Sequence, residues 1–157
     1  MRRDTFCPCF SQKHYSDLFI RSKDEKHLES ILKIQNIEKI DGFVLAKFSL
    51  TNCEKYMHLL QSTNFYIMPS IEGFELLEYV KLQELKQCIL TYKHKVLLVR
   101  FGLEDMLKQL SMKRTCNDSV FDLAVGNAVL GNFIGIFKSA GFAVSGGVYP
   151  CLKMRQV

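Results

Sequence analysis

The stretch VLLVRFGLEDML at residues 96–107 decides the fold class. Its first half, 96–101, is apolar and rich in β-branched residues, which predicts a buried strand. Gly102 ends that run, and the acidic pair Glu104 and Asp105 then opens a segment with apolar residues at helical spacing. A strand that leads directly into a helix is the building unit of α/β proteins, so this stretch predicts a sheet with helices packed against it.

The same alternation extends toward the amino terminus. Ser22 and Glu25 have the spacing of a helix-capping box, as do Thr51 and Glu54, so each pair predicts the start of a helix. A strand is predicted between these helices, over 42–50, because apolar and aromatic residues dominate it after an opening glycine.

Later segments continue the pattern. We expect strands over 65–68 and 73–80, while 81–90 fits either a helix or an exposed hairpin. A long, nearly uncharged helix is predicted over 119–139 and is ended by Gly141. The predicted fold class is therefore α/β, in the broad sense that includes α+β, with a mixed sheet and packing helices.

The composition is that of an ordinary globular protein. A chain of 157 residues with 48% hydrophobic and 24% charged residues can bury a core without disulfides or metals. We expect a single domain over 1–157, or else two lobes, an N-terminal α/β lobe over 1–95 and a C-terminal lobe over 96–157. The net charge of +5 comes from scattered basic residues, which does not favour a dedicated nucleic-acid surface.

The six cysteines indicate a reducing environment. No apolar signal segment precedes them, and a core of this size needs no disulfides, so we expect free thiols and a cytoplasmic location. Cys7 and Cys9 are closely spaced, but a structural zinc site needs four ligands and the sequence has no second close pair. The sequence therefore predicts no metal site, with Cys7 and Cys9 as the open case.

The glycine- and asparagine-rich part of the long helix is the candidate binding segment. Gly126, Asn127, Gly131 and Asn132 either cradle a phosphate group or allow close packing against the sheet. The apolar run is too short for a membrane span and contains both asparagines, so no span is expected. No nucleophile elbow, phosphate-binding loop, dinucleotide fingerprint or paired carboxylate is evident, so the catalytic residues stay unknown.

Three segments resemble the GNAT acyltransferases. IFKSAGF at 136–142 resembles the "L-Y-x-x-x-G-F" stretch that ends the helix lining the acetyl-CoA site in that family, and 99–106 is similar to its opening strand and helix. Residues 60–67 look like a motif in the accessory lobe of amino-sugar acetyltransferases. The resemblance implies acetyl-CoA as cofactor, and the residues expected to bind it are Gly126, Asn127, Gly131, Asn132 and Phe137.

The sequence also departs from the GNAT pattern. The pyrophosphate loop is missing before the last helix, Leu130 stands where that family has an asparagine, and 110–118 is too short for the usual central strands. Phe137 occupies the position of a tyrosine that often acts as general acid, and phenylalanine has no proton to donate. The resemblance therefore implies a reduced or truncated member and leaves enzymatic activity undecided.

Two functions of different classes follow from the sequence. The first is an acetyl-CoA-dependent N-acyltransferase-like protein, in which a small amine such as an amino sugar attacks the thioester directly. The alternative is a non-enzymatic α/β domain that binds a partner protein or a nucleic acid.

Overall fold

The structure is a computed structural model that describes residues 17–115 and 117–146. Cys7 and Cys9 lie outside these residues. The described strands are β1 (Phe19–Ser22), β2 (Gly42–Leu45), β3 (Tyr66–Ile71), β4 (Val99–Phe101) and β5 (Val144–Ser145). The described α-helices are α1 (Glu25–Leu32), α2 (Cys53–Leu60), α3 (Tyr79–Leu90), α4 (Leu103–Gln109) and α5 (Ala124–Ser139). Short 3-10 helices span Ile37–Lys39, Phe74–Leu77 and Val120–Asp122.

The described strands form a sheet whose spatial order equals the chain order. β1 pairs with β2, β2 with β3, β3 with β4 and β4 with β5, and each of these pairings is parallel. Right-handed connections between neighbouring parallel strands place the connecting helices on the same face of the sheet. The predicted α/β class is confirmed. The strand directions are parallel rather than mixed, because a helix after each strand returns the chain to the edge where that strand began.

The hydrophobic core lies between the sheet and this layer of helices. Phe43, Leu45, Ile67 and Ile71 of the strands are fully buried. Within the same core, near β4 and β5, the rings of Phe101, Phe133, Phe137 and Phe142 contact one another in series, with centroid distances of 5.3, 4.8 and 6.2 Å. These aromatic contacts hold α5 against β4.

Two predicted helix starts are displaced by local hydrogen bonding. Ser22 is the buried last residue of β1, and Asp24 instead caps α1 by accepting a hydrogen bond of 2.8 Å from the His27 N–H. Asn52 rather than Thr51 precedes α2, and its side-chain oxygen accepts a hydrogen bond from the Ser49 N–H.

The predicted strand over 73–80 is wrong. Phe74–Leu77 is a 3-10 helix, and α3 begins at Tyr79 and buries Leu82, Leu85 and Ile89 at helical spacing. Polar residues recur at every third position here, at 75, 78 and 81, which suits a helix and not a strand. The ambiguous segment 81–90 is therefore helical.

The long helix predicted over 119–139 is present as α5, but it begins at Ala124, after the 3-10 helix Val120–Asp122 that Ser119 caps, and its glycines do not pack as expected. Gly131 and Gly135 lie on the exposed face, where an added Cβ would meet no atom within 4 Å. Close packing against the sheet therefore does not explain these two glycines. Among the described residues, no helix is long and apolar enough to cross a membrane.

Candidate active site

Charged residues gather at the edge of the sheet where the parallel strands end. Glu72 follows β3 directly, and Asp105 lies in the first turn of α4, just after β4. Arg21 reaches this edge from β1 and forms an ion pair with Glu72. In α/β folds, ligands bind at the carboxyl ends of the strands, so this edge is the first place to look for a site.

Glu72 is the buried acid at this edge. Only 4% of the residue is exposed, and Arg21 Nη2 lies 3.4 Å from its Oε1. Its Oε2 atom is buried and, within residues 17–115 and 117–146, has no hydrogen-bond partner. An unpartnered buried acceptor lowers folding stability by about 1–3 kcal/mol. A side chain that is unfavourable in the free protein and lies at the strand ends is a candidate ligand-binding group.

Asp105 places a second carboxylate beside Glu72. A hydrogen bond of 3.0 Å from Lys108 Nζ holds the pKa of Asp105 below its usual range, against a smaller opposing effect of burial. The charge of Arg21 contributes further to this low pKa. Asp105 is therefore ionised at neutral pH and available to a cation.

Gly102 makes the approach of the two acids possible. A Cβ added at this position would lie 2.3 Å from Glu72 Cγ and 3.2 Å from Glu72 Cα. Rotation of the Glu72 side chain cannot relieve the second contact, because Cα belongs to the backbone. The φ angle of Gly102 is −95°, so the close approach, rather than an unusual backbone conformation, requires glycine here.

Two cavities meet at this pair of acids. One has a volume of about 350 Å³ and the other about 400 Å³, and both are lined by Glu72 and Asp105. The first also contains Arg21 and Arg100 in its wall, and the second contains Lys47 and Lys108 among others. Glu104 also lines the first cavity, so the two walls carry charges of both signs, with basic side chains beside the acid pair.

A larger cavity of about 1070 Å³ lies on the helical side of the sheet, between α1 and α2. Its wall mixes acids such as Glu25 and Glu54 with the bases Lys26 and Lys55. Within the described part of the chain, it contains no buried polar side-chain atom that lacks a partner. We therefore place the site at the strand ends despite the smaller volume there.

The acid pair fits magnesium better than zinc. In residues 17–115 and 117–146, no group of three or more His, Cys, Asp or Glu side chains is arranged to hold a metal. Structural zinc requires such a set, whereas Mg²⁺ keeps several waters and is commonly held by one or two carboxylates together with the substrate. Glu72 and Asp105 supply those carboxylates, one of them with a free oxygen.

The residues predicted to bind acetyl-CoA all lie on α5, but they do not converge. Gly126 and Phe137 are buried, while Asn127, Gly131 and Asn132 are exposed on the outer face of the helix. None of the five lines either cavity at the strand ends. Their role in cofactor binding stays a prediction.

Glu72 and Asp105 were missed as a pair in the sequence. Asp105 was interpreted as part of a helix start, and Glu72 lay between the strands predicted over 65–68 and 73–80, where no role was assigned to it. The usable signal is that each acid follows a strand of a parallel sheet, so that both come to the same edge although α3 separates them along the chain.

The family model described as "C-C_Bond_Lyase of the TIM-Barrel fold" matches residues 3–157. The chain belongs to this family. The sequential parallel order of the described strands agrees with the barrel fold of the C–C bond lyases, in which each strand is followed by a helix. The acids at the strand ends occupy the edge at which barrel enzymes carry their active sites.

A solved structure supports the same fold for this C–C bond lyase family member. CitE from Mycobacterium tuberculosis, in complex with magnesium, acetoacetate and coenzyme A, matches with a TM-score of 0.56 and 12% sequence identity. The match covers 88% of this chain and 46% of the CitE chain, so this chain spans less than half of that protein. Comparison with curated proteins finds no match.

Membership in the C–C bond lyase family corrects the GNAT assignment. The resemblance rested on IFKSAGF at 136–142, which the structure explains as a common helix ending. Gly141 has a φ of +80°, and the N–H groups of Gly141 and Phe142 donate to the carbonyls of Lys138 and Phe137. This is a Schellman motif with its usual apolar contact, here between the rings of Phe137 and Phe142. Such an ending occurs in many folds and identifies no family.

The predicted function changes with the family. N-acyl transfer from acetyl-CoA to a small amine is wrong, because the family to which the chain belongs breaks carbon–carbon bonds. The alternative of a non-enzymatic domain that binds a protein or a nucleic acid is not supported by the family either.

Proposed function

We propose that this protein is a C–C bond lyase that acts on an anionic carbonyl compound, with Mg²⁺ held by Glu72 and Asp105. The observation that carries the proposal is the free Oε2 atom of Glu72, buried at the strand ends beside an ionised carboxylate. The family supplies the class of reaction. The basic residues beside the acid pair are the candidate contacts for an anion once a cation balances the two carboxylates.

Each side chain of the site has a physical role in this proposal. Glu72 and Asp105 would hold a divalent ion, which when bound would supply a Lewis acid for a carbonyl oxygen and for the negative charge that develops as the carbon–carbon bond breaks. Arg21 orients Glu72 through its Oε1 atom, which leaves Oε2 for the ion. Lys108 keeps Asp105 ionised. Gly102 leaves the space in which Glu72 lies.

A coenzyme A thioester is the proposed substrate class. The related CitE structure contains coenzyme A and acetoacetate together with magnesium, and in this chain Lys47 and Lys108 line the cavity of about 400 Å³ beside the acids. Those two lysines are candidate contacts for the phosphate groups of the coenzyme. Acetyl-CoA would then be a product of cleavage. A cytoplasmic location agrees with the free thiols of Cys53 and Cys88.

The test is a cleavage assay. Purified protein is incubated with MgCl₂ and a panel of 3-hydroxyacyl-CoA thioesters that bear a free carboxylate, and acetyl-CoA is measured by liquid chromatography and mass spectrometry. Wild type should release acetyl-CoA, and Glu72→Gln and Asp105→Asn should each reduce the rate by roughly 100-fold, since the metal supplies several kcal/mol.

Glu38→Gln is the matched control, because Glu38 is exposed and lies before β2, at the opposite edge of the sheet. This variant should cleave like wild type. The proposal fails if the wild-type protein cleaves none of the thioesters, or if Glu72→Gln retains the wild-type rate.

A further inference from the structure

We infer that Arg100, flanked by Ser70 and Ser145, binds a carboxylate group of the substrate. The inference rests on the proposed function, and it names the part of the substrate that lies away from the acid pair. The observations that support it are the register of the strands, the lack of a partner for Arg100 among the described residues, and the shape of the cavity.

The register places these three residues in one row across the sheet. Ser70 of β3 is the partner of Arg100 of β4, and Arg100 is the partner of Ser145 of β5. Partners in neighbouring strands project from the same face. Val99 and Phe101 are buried in the core, so the intervening Arg100 projects from the opposite face, into the cavity of about 350 Å³.

Arg100 differs from the other arginines near this edge. Arg21 is paired with Glu72, and Arg114 with Glu104. Arg100 is half-buried and, among the residues that the structure describes, makes no hydrogen bond or ion pair. A guanidinium group that is held on a strand and has no ion pair or hydrogen bond with a described residue can bind an anion from solution.

The chemistry around Arg100 suits a carboxylate. Its planar fork of N–H groups matches the two oxygens of a carboxylate, and a serine hydroxyl on each side can donate a further hydrogen bond. Gly146 follows Ser145 and brings no side chain into the cavity, and an added Cβ there would meet no atom within 4 Å. The wall therefore has room for the anion.

The distance to the acid pair limits the size of the substrate acid. Ser70 in β3 and Glu72, which follows β3, both line this cavity and lie two positions apart, or about 7 Å along an extended chain. An Arg–carboxylate hydrogen bond of about 2.8 Å and a metal–oxygen distance of about 2.1 Å take up most of that length. A short keto or hydroxy acid, with its carboxylate at Arg100 and its carbonyl or hydroxyl oxygen near Glu72, fits this spacing.

The test is calorimetric titration with acetoacetate, with methyl acetoacetate as the uncharged analogue. Wild type should bind acetoacetate and not the ester. Arg100→Met should weaken acetoacetate binding by at least about tenfold, because it removes charged hydrogen bonds. Ser70→Ala and Ser145→Ala should each weaken it by a smaller factor. Arg100→Lys keeps the positive charge but loses the planar guanidinium group, so it should also bind acetoacetate more weakly than wild type.

Lys39→Met is the control with the same change in net charge, since Lys39 is exposed at the opposite edge of the sheet. It should bind like wild type, and circular dichroism checks that every variant is folded. Unchanged acetoacetate binding in both Arg100 variants overturns the inference. Competition by inorganic phosphate at the same concentration as acetoacetate also overturns it, because it shows binding of any anion rather than of a carboxylate. The titration does not depend on turnover, so a protein that binds acetoacetate through Arg100 but cleaves no thioester would refute the proposed lyase and leave this inference standing.

Discussion

Replacement of Gly102 by alanine should disturb the acid pair directly. The added Cβ would lie 2.3 Å from Glu72 Cγ and 3.0 Å from Glu72 Cβ, well inside van der Waals contact. Since Glu72 Cα also lies 3.2 Å away, the strand end itself must move. We expect the Glu72 carboxylate to shift away from Asp105.

The size of the effect follows from two opposing contributions. Overpacking of a filled site destabilises by about 1–3 kcal/mol, whereas Gly-to-Ala replacement at an accessible φ stabilises by about 0.4–1 kcal/mol through the unfolded chain. The net loss in the free energy of unfolding should be about 1–2 kcal/mol, which for a chain of this length lowers the melting temperature by roughly 2–8 °C.

The assay is urea unfolding followed by circular dichroism, together with Mn²⁺ titration as a probe of the acid pair. Gly131→Ala is the matched control, because Gly131 is exposed within α5 and an added Cβ would meet nothing within 4 Å. Alanine is the better helix former, so this variant should gain about 1 kcal/mol in stability and bind Mn²⁺ like wild type. The reasoning is refuted if Gly102→Ala is as stable as wild type and binds Mn²⁺ equally well.

Three further predictions concern residues away from the site. Lys95 Nζ donates hydrogen bonds to three main-chain carbonyls at and after the end of α2. Lys95→Met should therefore lower the free energy of unfolding, measured in urea, by about 1–2 kcal/mol. An unchanged free energy of unfolding would show that water replaces the lysine. Burial raises the pKa of Tyr56 to about 12, whereas the pKa of tyrosine in the unfolded chain is about 10. The stabilisation from the neutral Tyr56 hydroxyl is therefore complete below about pH 10 and is lost as the pH rises through about 12. The stability advantage of wild type over Tyr56→Phe in urea should therefore shrink above about pH 10, and a constant difference would contradict the shift. Burial also raises the pKa of Cys88 to about 12, so iodoacetamide should label Cys88 slowly in the folded protein and rapidly in urea, as followed by mass spectrometry; equal rates would contradict the shift.

The strand-to-helix unit at 96–107 could be predicted because its signals are local. The apolar run, the break at Gly102 and the acidic helix start all lie within a few residues of one another, and β4 and α4 form there. The end of α5 at Gly141 was predictable for the same reason, since glycine at a positive φ suffices to end a helix.

Other features depend on contacts between distant parts of the chain. β1 is only four residues long, and its position at the edge of the sheet is set by pairing with β2. The parallel direction of the strands is likewise set by the helices between them. Glu72 acquires its importance only when β3 and β4 end side by side, and no local pattern around it indicates that it is buried with a free oxygen.

The same limit explains the mistaken family. Segments 136–142 and 60–67 each describe how a helix ends before a strand, which is a local event. Gly141 and Phe142 obey the stereochemistry of a helix terminus and pack a ring into the core. Local rules of this kind hold in any α/β fold, so they predicted the fold class correctly and the family wrongly.

The most direct test of the central claim is the binding of Mn²⁺, as a probe for Mg²⁺, measured by the electron paramagnetic resonance signal of the free ion. Wild type and Glu38→Gln should bind with the same affinity, and excess Mg²⁺ should displace the probe. Glu72→Gln and Asp105→Asn should each weaken binding by at least about tenfold, because each removes one of the two carboxylates. If Glu72→Gln binds Mn²⁺ as tightly as wild type, the acid pair is not the metal site and the account is contradicted.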